Sequence, residues 1–301
     1  MTKPPTRQIL VTGAAGLSGS IVVHEFVRRQ HPVRALVRDR TRADWLTRLP
    51  GVEVVEGDML RAETLGAALD GVERALMIST SNPLMLDTQS AFIEASKAAG
   101  VSHVVKYSGA ESGIGFDPAN FRFGAMHEEI ERLLAHSGLE WTVLRPSQFM
   151  QVYFRELPSI IAEDAFFLPM DDVKLSPVDI EDVAKVAFAV LSDGGHSGKR
   201  YDMTGPEALT GDDVARHVSM AVGRPIRYVN ITPEQFHERL LSSGAPEGRA
   251  QALGELFAER RRHPESRVYT ETHKTFGVTP TTFAEFAKRN AAVFRGETGE
   301  S

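Results

Sequence analysis

A glycine-rich turn near the amino terminus has the spacing of a phosphate-binding loop. The segment from Thr12 to Gly19 reads T-G-A-A-G-L-S-G, follows a β-branched run and opens an apolar-periodic helix. The first glycine permits a tight turn, the second lets the backbone approach a pyrophosphate, and the third lets the helix pack close to the sheet. This placement favours a dinucleotide site over a glycine-rich turn without a ligand. Its candidate residues are Gly13, Ala15, Gly16, Leu17, Ser18 and Gly19.

Charged residues after the second predicted strand bear on which dinucleotide binds. An acid about 20 residues beyond the loop suits the ribose 2′-hydroxyl of NAD, whereas an arginine accommodates the 2′-phosphate of NADP. Arg38 holds this position, with Arg40 or Arg42 in support, and a guanidinium matches phosphate oxygens bidentately. We therefore expect NADP(H). Asp39 leaves NAD(H) as the second choice, and a solvated loop is the plain alternative.

Polar residues at the other strand ends are candidates for the same crevice. Ligands of open α/β sheets bind outside the carboxyl ends of the strands. We expect the third strand end to meet the adenine, although it also suits a simple turn, and the fourth to line the phosphates and ribose. The fifth and sixth should lie near the nicotinamide and the substrate. The candidates, in strand order, are Asp58 and Met59, Ser79 and Thr80, Tyr107 and Ser108, then Pro146, Ser147 and Phe149.

Short β-branched runs alternate with longer helical patterns over the first half of the chain, which is typical of βαβ units. We expect a Rossmann-type α/β fold, a doubly wound parallel sheet of order 3-2-1-4-5-6-7. A smaller, mostly helical carboxyl-terminal region should cover the strand ends and hold substrate. Strands are predicted at 8–11, 33–37, 52–55, 74–78, 103–107, 141–144 and 199–203, and helices at 17–30, 41–48, 61–69, 87–99, 121–137, 211–222, 233–243, 248–262 and 280–294.

The expected domain boundaries follow from the change of rhythm after Pro146. Residues 1–150 should form the dinucleotide-binding domain, to which 175–205 return, and 151–301 should form the substrate region. A phenylalanine-rich stretch begins the second region and suits a substrate pocket, a dimer contact or core packing. Its members are Phe149, for which we favour the pocket, and Phe154, Phe166 and Phe167.

Composition excludes several classes of protein. The 301 residues include no cysteine, which removes disulfides, thiolate nucleophiles, iron–sulfur clusters and most structural zinc sites. The formal net charge of -6 does not suit a general nucleic-acid binder. No apolar run approaches the roughly 20 residues of a membrane span, and the amino terminus has no signal-peptide core. We expect a cytoplasmic protein, monomeric or homodimeric, with a small-molecule acceptor and neither nucleic acid nor membrane as partner.

Two signals for hydrolytic chemistry fail on inspection. The pairs that begin with His24, His127 and His237 have the first two residues of the zinc motif H-E-x-x-H but lack its second histidine. No G-x-S-x-G nucleophile elbow occurs. We therefore expect no metal site.

Several segments together resemble the NmrA-like group of atypical short-chain dehydrogenases. They are the loop T-G-A-A-G-L-S-G, A-L-V-R-D, E-G-D-M, K-Y-S-G at Lys106, H-E-E-I-E, W-T-V-L-R-P and V-D-I-E-D-V-A. The likeness runs from about residue 7 to about residue 220 and is generic beyond. The resemblance implies NADP(H) binding. Members include reductases of quinones, azo and triphenylmethane dyes, and redox sensors without catalysis.

The resemblance also implies a departure from ordinary short-chain dehydrogenases. Those enzymes use a Tyr-x-x-x-Lys pair after the fifth strand, and Phe123 and His127 align with it. Phenylalanine has no proton to give, which argues against ordinary ketone reduction. His127 is a candidate for the ribose contact or for the general acid, with Tyr107 beside it; the alternative is a surface histidine paired with Glu131 one turn on.

Two functions fit these observations. The favoured one is an NADPH-dependent reductase of a conjugated acceptor, such as a quinone, azo compound or cationic dye, in which a delocalised system receives hydride. The other is a sensor that binds NADP(H) without catalysis and reports its redox state to a partner. Turnover distinguishes them.

Overall fold

The structure, a computed structural model, describes residues 8–109, 116–117 and 119–297 and divides the chain into two compact units. The first unit comprises the chain up to Ser108 together with Met126–Arg145 and Ile180–Tyr201. The second comprises Gly109–Ala125, Pro146–Asp179 and the chain from Asp202 onward. Both units are therefore assembled from separate stretches of sequence.

A seven-stranded sheet organises the first unit. Its order is β3-β2-β1-β4-β5-β6-β8, with parallel pairing from β3 through to β6. β1, β4 and β5 are buried along their whole length, as expected for strands covered by helices on both faces. The strands are β1 Ile9–Val11, β2 Val33–Val37, β3 Val52–Glu56, β4 Arg74–Met77, β5 His103–Tyr107, β6 Glu140–Pro146 and β8 Lys199–Met203.

Amphipathic helices supply the layers against this sheet. The helix Leu17–Arg28 packs against the helix Ile180–Ser192. The helix Arg122–His136 begins in the second unit and continues into the first. The helices are α1 Leu17–Arg28, α2 Asp44–Thr47, α3 Gly66–Leu69, α4 Met85–Ala98, α5 Arg122–His136 and α7 Ile180–Ser192, with 3-10 turns at Thr41–Ala43 and Ala62–Thr64.

The second unit is mostly helical around a core rich in phenylalanine. A 3-10 helix at Met150–Glu156 precedes a two-stranded parallel sheet of β7 Ala165–Leu168 and β9 Arg227–Asn230. Thr210 and Thr232 each begin a helix with a reciprocal capping box. The helices are α6 Leu157–Glu163, α8 Gly211–Val222, α9 Pro233–Ser242, α10 Glu247–Arg262, α11 Glu271–Thr275, α12 Phe283–Arg289 and α13 Ala291–Arg295.

The predicted fold class and strand order are confirmed, with Lys199–Met203 as the last strand in the sheet. The helix predicted at 280–294 is two helices, because Asn290 ends one and begins the next. The prediction missed β7 and β9. In β7, Phe166 is buried in the core, and Phe154 stacks on Phe286 at 5.5 Å between ring centroids. Core packing therefore accounts for these two of the four phenylalanines.

Arg74 joins β4 to the carboxyl end of α7. Its buried guanidinium donates hydrogen bonds to the carbonyl oxygens of Val190 at 3.4 Å, Leu191 at 2.9 Å and Asp193. The carboxyl end of a helix carries partial negative charge, which a cation stabilises. The interaction connects segments more than a hundred residues apart in sequence.

We expect Arg74→Met to lower the free energy of unfolding by about 2–3 kcal/mol, because hydrogen bonds from a charged donor are lost at the end of α7. Urea denaturation of the purified protein measures the change. Arg48→Met is the matched control, since Arg48 is 76% exposed and pairs with exposed Asp44. Equal midpoints for the two variants would contradict the role of Arg74.

Candidate functional site

The glycine-rich turn folds so tightly that side chains have no room at two of its positions. Gly13 has φ +59°, and a Cβ on Gly19 would lie 2.2 Å from the carbonyl oxygen of Gly13. The amide of Gly16 donates to that same oxygen at 2.9 Å and precedes the first residue of α1. The sequence-predicted loop residues thus surround the amino end of α1, and Gly13, Ala15, Gly16 and Leu17 are exposed there.

Thr12 fastens the start of this turn to the neighbouring strand. Its hydroxyl donates to the carbonyl oxygen of Ile78 at 2.7 Å and accepts from the amide of Ile78 at 2.8 Å. Its own amide donates to Leu76 at 3.0 Å. The turn between β1 and α1 is therefore held against the end of β4.

The two charged candidates after β2 have different surroundings. Asp39 accepts hydrogen bonds from the hydroxyl of Thr41 at 2.6 Å and from its amide at 2.9 Å, so its carboxylate is bound to the first residue of the following 3-10 turn. The bond from the Thr41 hydroxyl lowers the pKa of Asp39 below its usual value. Arg38 is exposed beside it. The acid is thus committed to the local turn, while the guanidinium faces solvent.

Asp58 and Met59 follow β3 and form a second local turn. An oxygen of the Asp58 carboxylate accepts from the amide of Leu60 at 3.0 Å, and the Asp58 amide donates to the hydroxyl of Thr64 at 2.9 Å. Met59 is buried. These bonds account for the turn-forming interpretation, and an adenine contact stays a prediction.

A chain of polar side chains begins at the end of β4 and crosses to α5. Gln89 of α4 donates through Nε2 to the hydroxyl of Ser79 at 2.8 Å. The Oε1 atom of Gln89 accepts from Lys106 Nζ at 2.9 Å, and the same Nζ lies 3.1 Å from Nδ1 of His127. Lys106 and Gln89 are buried, whereas Ser79 and His127 are partly exposed. Thr80, the other candidate at this strand end, is exposed.

Burial sets the protonation behaviour of this chain. Desolvation lowers the pKa of Lys106 to about 7; the charge of Glu131 opposes the shift and that of Arg145 adds to it. The pKa of His127 lies well below its usual value because of desolvation and the charges of Lys106 and Arg145. At neutral pH the imidazole is therefore neutral, and Lys106 is near the midpoint of its titration.

The alternative of a surface histidine supposed that His127 pairs with Glu131, but Glu131 has other partners. Its buried carboxylate accepts from the Ser108 hydroxyl at 2.6 Å and from Nε of Arg145 at 3.0 and 3.1 Å, and Arg200 Nε lies 3.4 Å away. The hydroxyl of Ser108, a candidate for the cofactor, donates inward to this cluster.

The remaining candidates on β5 and α5 lie at different depths. Tyr107 is buried, and strand alternation places it on the face of the sheet opposite to its neighbour Lys106. Phe123 is partly exposed in the first turn of α5. His127 is thus the predicted residue that the structure joins directly to a buried cation.

The substrate candidates Ser147 and Phe149 lie in the second unit. The hydroxyl of Ser147 donates to the carbonyl oxygen of Ser176 at 2.6 Å, and Phe149 bridges to Val178. Ser147 also lines a small cleft whose walls include the buried Arg260. Pro146 is the buried last residue of β6.

Gln89, Lys106 and Glu131 are the polar residues that the sequence analysis did not select. A lysine within the apolar run of a strand buried on both faces is the signal that could have found Lys106. Nothing comparable distinguishes Gln89 within its helix. Neither a metal-binding cluster of histidine and carboxylate side chains nor a helix able to span a membrane occurs in the described part of the chain.

The model of the NmrA-like family matches residues 5–287. The chain belongs to this family. It is 37% identical over 287 residues to an NAD(P)H azoreductase of Xenophilus azovorans, with 95% of this chain and 99% of the relative covered. It is 30% identical to quinone oxidoreductase 2 of Escherichia coli strain K12, with 82% and 86% covered.

A solved structure extends the comparison to three dimensions. The NADPH complex of the quinone oxidoreductase QOR2 from Escherichia coli superposes on this NmrA-like protein with a TM-score of 0.82 at 28% identity. The match covers 93% of this chain and 99% of the other. The likeness therefore extends over both units of the NmrA-like chain, not the glycine loop alone.

We expect Gly19→Ala to destabilise the NmrA-like protein by about 1–3 kcal/mol, the usual cost of forcing extra atoms into a packed site. The new Cβ would require the Gly13 carbonyl to move. Gly254→Ala is the opposite control, because nothing lies within 4 Å of its Cβ on α10 and helix propensity gains about 0.5–1 kcal/mol. Chemical denaturation should move the two midpoints in opposite directions.

Proposed function

We propose that this protein reduces a conjugated, electrophilic acceptor of the quinone or azo type. Its relatives by sequence are an azoreductase and a quinone oxidoreductase, and the chain is an NAD(P)H-dependent reductase. The observation that carries the proposal is the cradle at the amino end of α1, where Gly19 lies against the Gly13 carbonyl. A turn this closely packed leaves its backbone open to a ligand that side chains would otherwise exclude.

The cradle fits a dinucleotide pyrophosphate. No side chain of the described residues caps the amino end of α1, where a helix offers amide hydrogens and partial positive charge to an anion. Gly16, Leu17 and Ser18 would hold the phosphates through these amides. Ser79 and Thr80 would contact the neighbouring phosphates and ribose from the end of β4.

The cofactor is NADP(H). Arg38 is exposed at the position that suits a 2′-phosphate, whereas Asp39 is bound by Thr41 and turned to the local backbone. A guanidinium binds phosphate bidentately and keeps its charge at any physiological pH. Arg38 would therefore select the 2′-phosphorylated dinucleotide.

The chemistry that NADPH supplies when bound is hydride transfer. The residues of this chain then have to orient the acceptor and exclude water. A quinone or azo group takes hydride into a delocalised system, so the product anion is far more stable than the alkoxide of a simple ketone. Phe123, which aligns with the catalytic tyrosine of ordinary short-chain dehydrogenases, has no proton for such an alkoxide.

We expect Arg38→Ala to raise the Kd for NADPH by about ten- to a hundredfold, the value of a charge-assisted hydrogen-bond pair. The Kd for NADH should change by less than about threefold, since NADH has no 2′-phosphate. Fluorescence titration with both dinucleotides measures this difference. Arg48→Ala, at the exposed residue that follows α2, is the control. A parallel loss of both affinities would contradict the assignment.

With NADPH, we expect the wild-type protein to turn over a naphthoquinone and an azo dye, but not a simple ketone. Ketone reduction needs general acid catalysis that is typically worth about a hundredfold or more. NADPH consumption followed by absorbance measures each rate, with NADH in parallel. Dinucleotide binding without turnover of any acceptor would instead favour a redox sensor.

A further inference from the structure

The polar chain Ser79–Gln89–Lys106–His127 contains a buried lysine whose contacts are both neutral. Lys106 is fully buried, and its Nζ contacts are the amide oxygen of Gln89 and the imidazole of His127. Buried lysines usually pair with a carboxylate. Glu131, the carboxylate of this region, is bound instead by Ser108 and two arginines. Packing alone does not call for a lysine in this place.

The hydrogen bonds of the chain fix its direction. A protonated lysine only donates, so Nδ1 of His127 accepts, and the proton of the neutral imidazole is on Nε2. The amide of Gln89 is oriented likewise, since Nε2 donates to Ser79 and leaves Oε1 for Lys106. Lys106 therefore donates in both directions, to Gln89 on one side and to His127 on the other, and Gln89 in turn donates to Ser79.

The groups around Lys106 keep its proton available. The titratable and charged groups that face it in the described structure are His127 and Glu131 from α5 and Arg145 from β6, while α4 presents the neutral Gln89. Desolvation lowers the pKa of Lys106 to about 7. Its proton can thus leave and return at physiological pH.

We propose that Lys106 supplies, through His127, the proton that completes reduction of the acceptor. This inference rests on the proposed function. Hydride, with its two electrons, converts a quinone to the hydroquinone monoanion or an azo group to the hydrazine anion. The anionic oxygen or nitrogen takes the proton from Nε2 of His127 as Nδ1 takes one from Lys106. Lys106 is left neutral, and His127 is left with its proton on Nδ1. After product leaves, Nε2 of His127 takes a proton from water as Nδ1 returns its proton to Lys106, which restores both residues.

In this arrangement His127 is the catalytic residue, and Lys106 is a positioning residue and proton source that acts through it. The role differs from that of a tyrosine acid, because His127 protonates a delocalised anion after hydride transfer, whereas the tyrosine protonates the alkoxide as it forms in ketone reduction. It also differs from protonation by solvent, because the proton comes from a buried group with its own titration.

The first test needs no turnover. In protein labelled with ¹⁵N at histidine and lysine, without dinucleotide, NMR should show His127 protonated at Nε2 and Lys106 titrating near pH 7. Gln89→Glu places a carboxylate beside Nζ and should raise the pKa of Lys106 by about one unit or more. A lysine that titrates at its ordinary value of about 10.4, or a proton on Nδ1, overturns the proposal.

The second test compares acceptors with different demands for protons. Reduction of a quinone consumes a hydride and a proton, whereas a triphenylmethane cation takes hydride alone and becomes neutral. Lys106→Met should lower kcat for the quinone by about a hundredfold. Its rate with a dye that stays cationic over the pH range should change by less than about threefold. Lys97→Met, exposed on the same α4 that carries Gln89, is the matched control.

The pH profile distinguishes a proton source from a structural role. Because protonated Lys106 is required, wild-type kcat for the quinone should fall as pH rises through about 7. Gln89→Glu should move this fall to higher pH, and it remains informative if Lys106→Met does not fold. Equal loss with quinone and dye, no loss with either, or an unmoved profile would each overturn the proposal. Failure of the wild type with every acceptor would instead reject the proposed function, and the NMR titration would still stand as a separate result.

Discussion

The buried carboxylate of Glu131 holds together the elements that carry the site of the first unit. It lies on α5 and accepts hydrogen bonds from Ser108 on β5, Arg145 on β6 and Arg200 on β8. A carboxylate removed from water requires such partners, and the partners in turn fix the rotation of the helix. Because residues four apart share a helix face, the same contacts place His127 against the strand. The contacts of Glu131, one helical turn further on, thus set the position of His127.

This arrangement also divides the charges of the site into two kinds. Around Glu131, arginines neutralise the carboxylate, and the cluster has the character of a structural ion network. By contrast, the hydrogen-bond partners of Lys106 Nζ among the described residues are an amide oxygen and an imidazole nitrogen. The charge of Glu131 raises the pKa of Lys106, and the charge of Arg145 lowers it. Arg145, which binds the carboxylate, therefore also helps to keep the pKa of the lysine low.

Local patterns were enough to predict the frame of the molecule but not the interior of its site. The glycine spacing at Gly13–Gly19 and the β-branched runs predict the loop and the strands, because each is a short-range consequence of backbone geometry. The strand order follows from the doubly wound fold that they indicate. The links from Lys106 to Gln89 and His127 join residues 17 and 21 positions apart, on three different elements. Strands β7 and β9 pair although some sixty residues separate them, so no tight turn in the sequence indicates the pairing. Whether Asp39 serves a ligand or a turn depends on hydrogen bonds to the backbone, which sequence does not display.

The hydrogen bonds between Arg74 and the end of α7 have a consequence for synthesis on the ribosome. β4 emerges early, but the carbonyl groups that bind its arginine belong to residues 190–193. Between them the chain must produce the stretch Pro146–Asp179, which belongs to the other unit. Until residues 190–193 have left the exit tunnel, the guanidinium of Arg74 lacks these acceptors and stays solvated. Completion of the first unit is therefore tied to the translation of nearly two thirds of the protein.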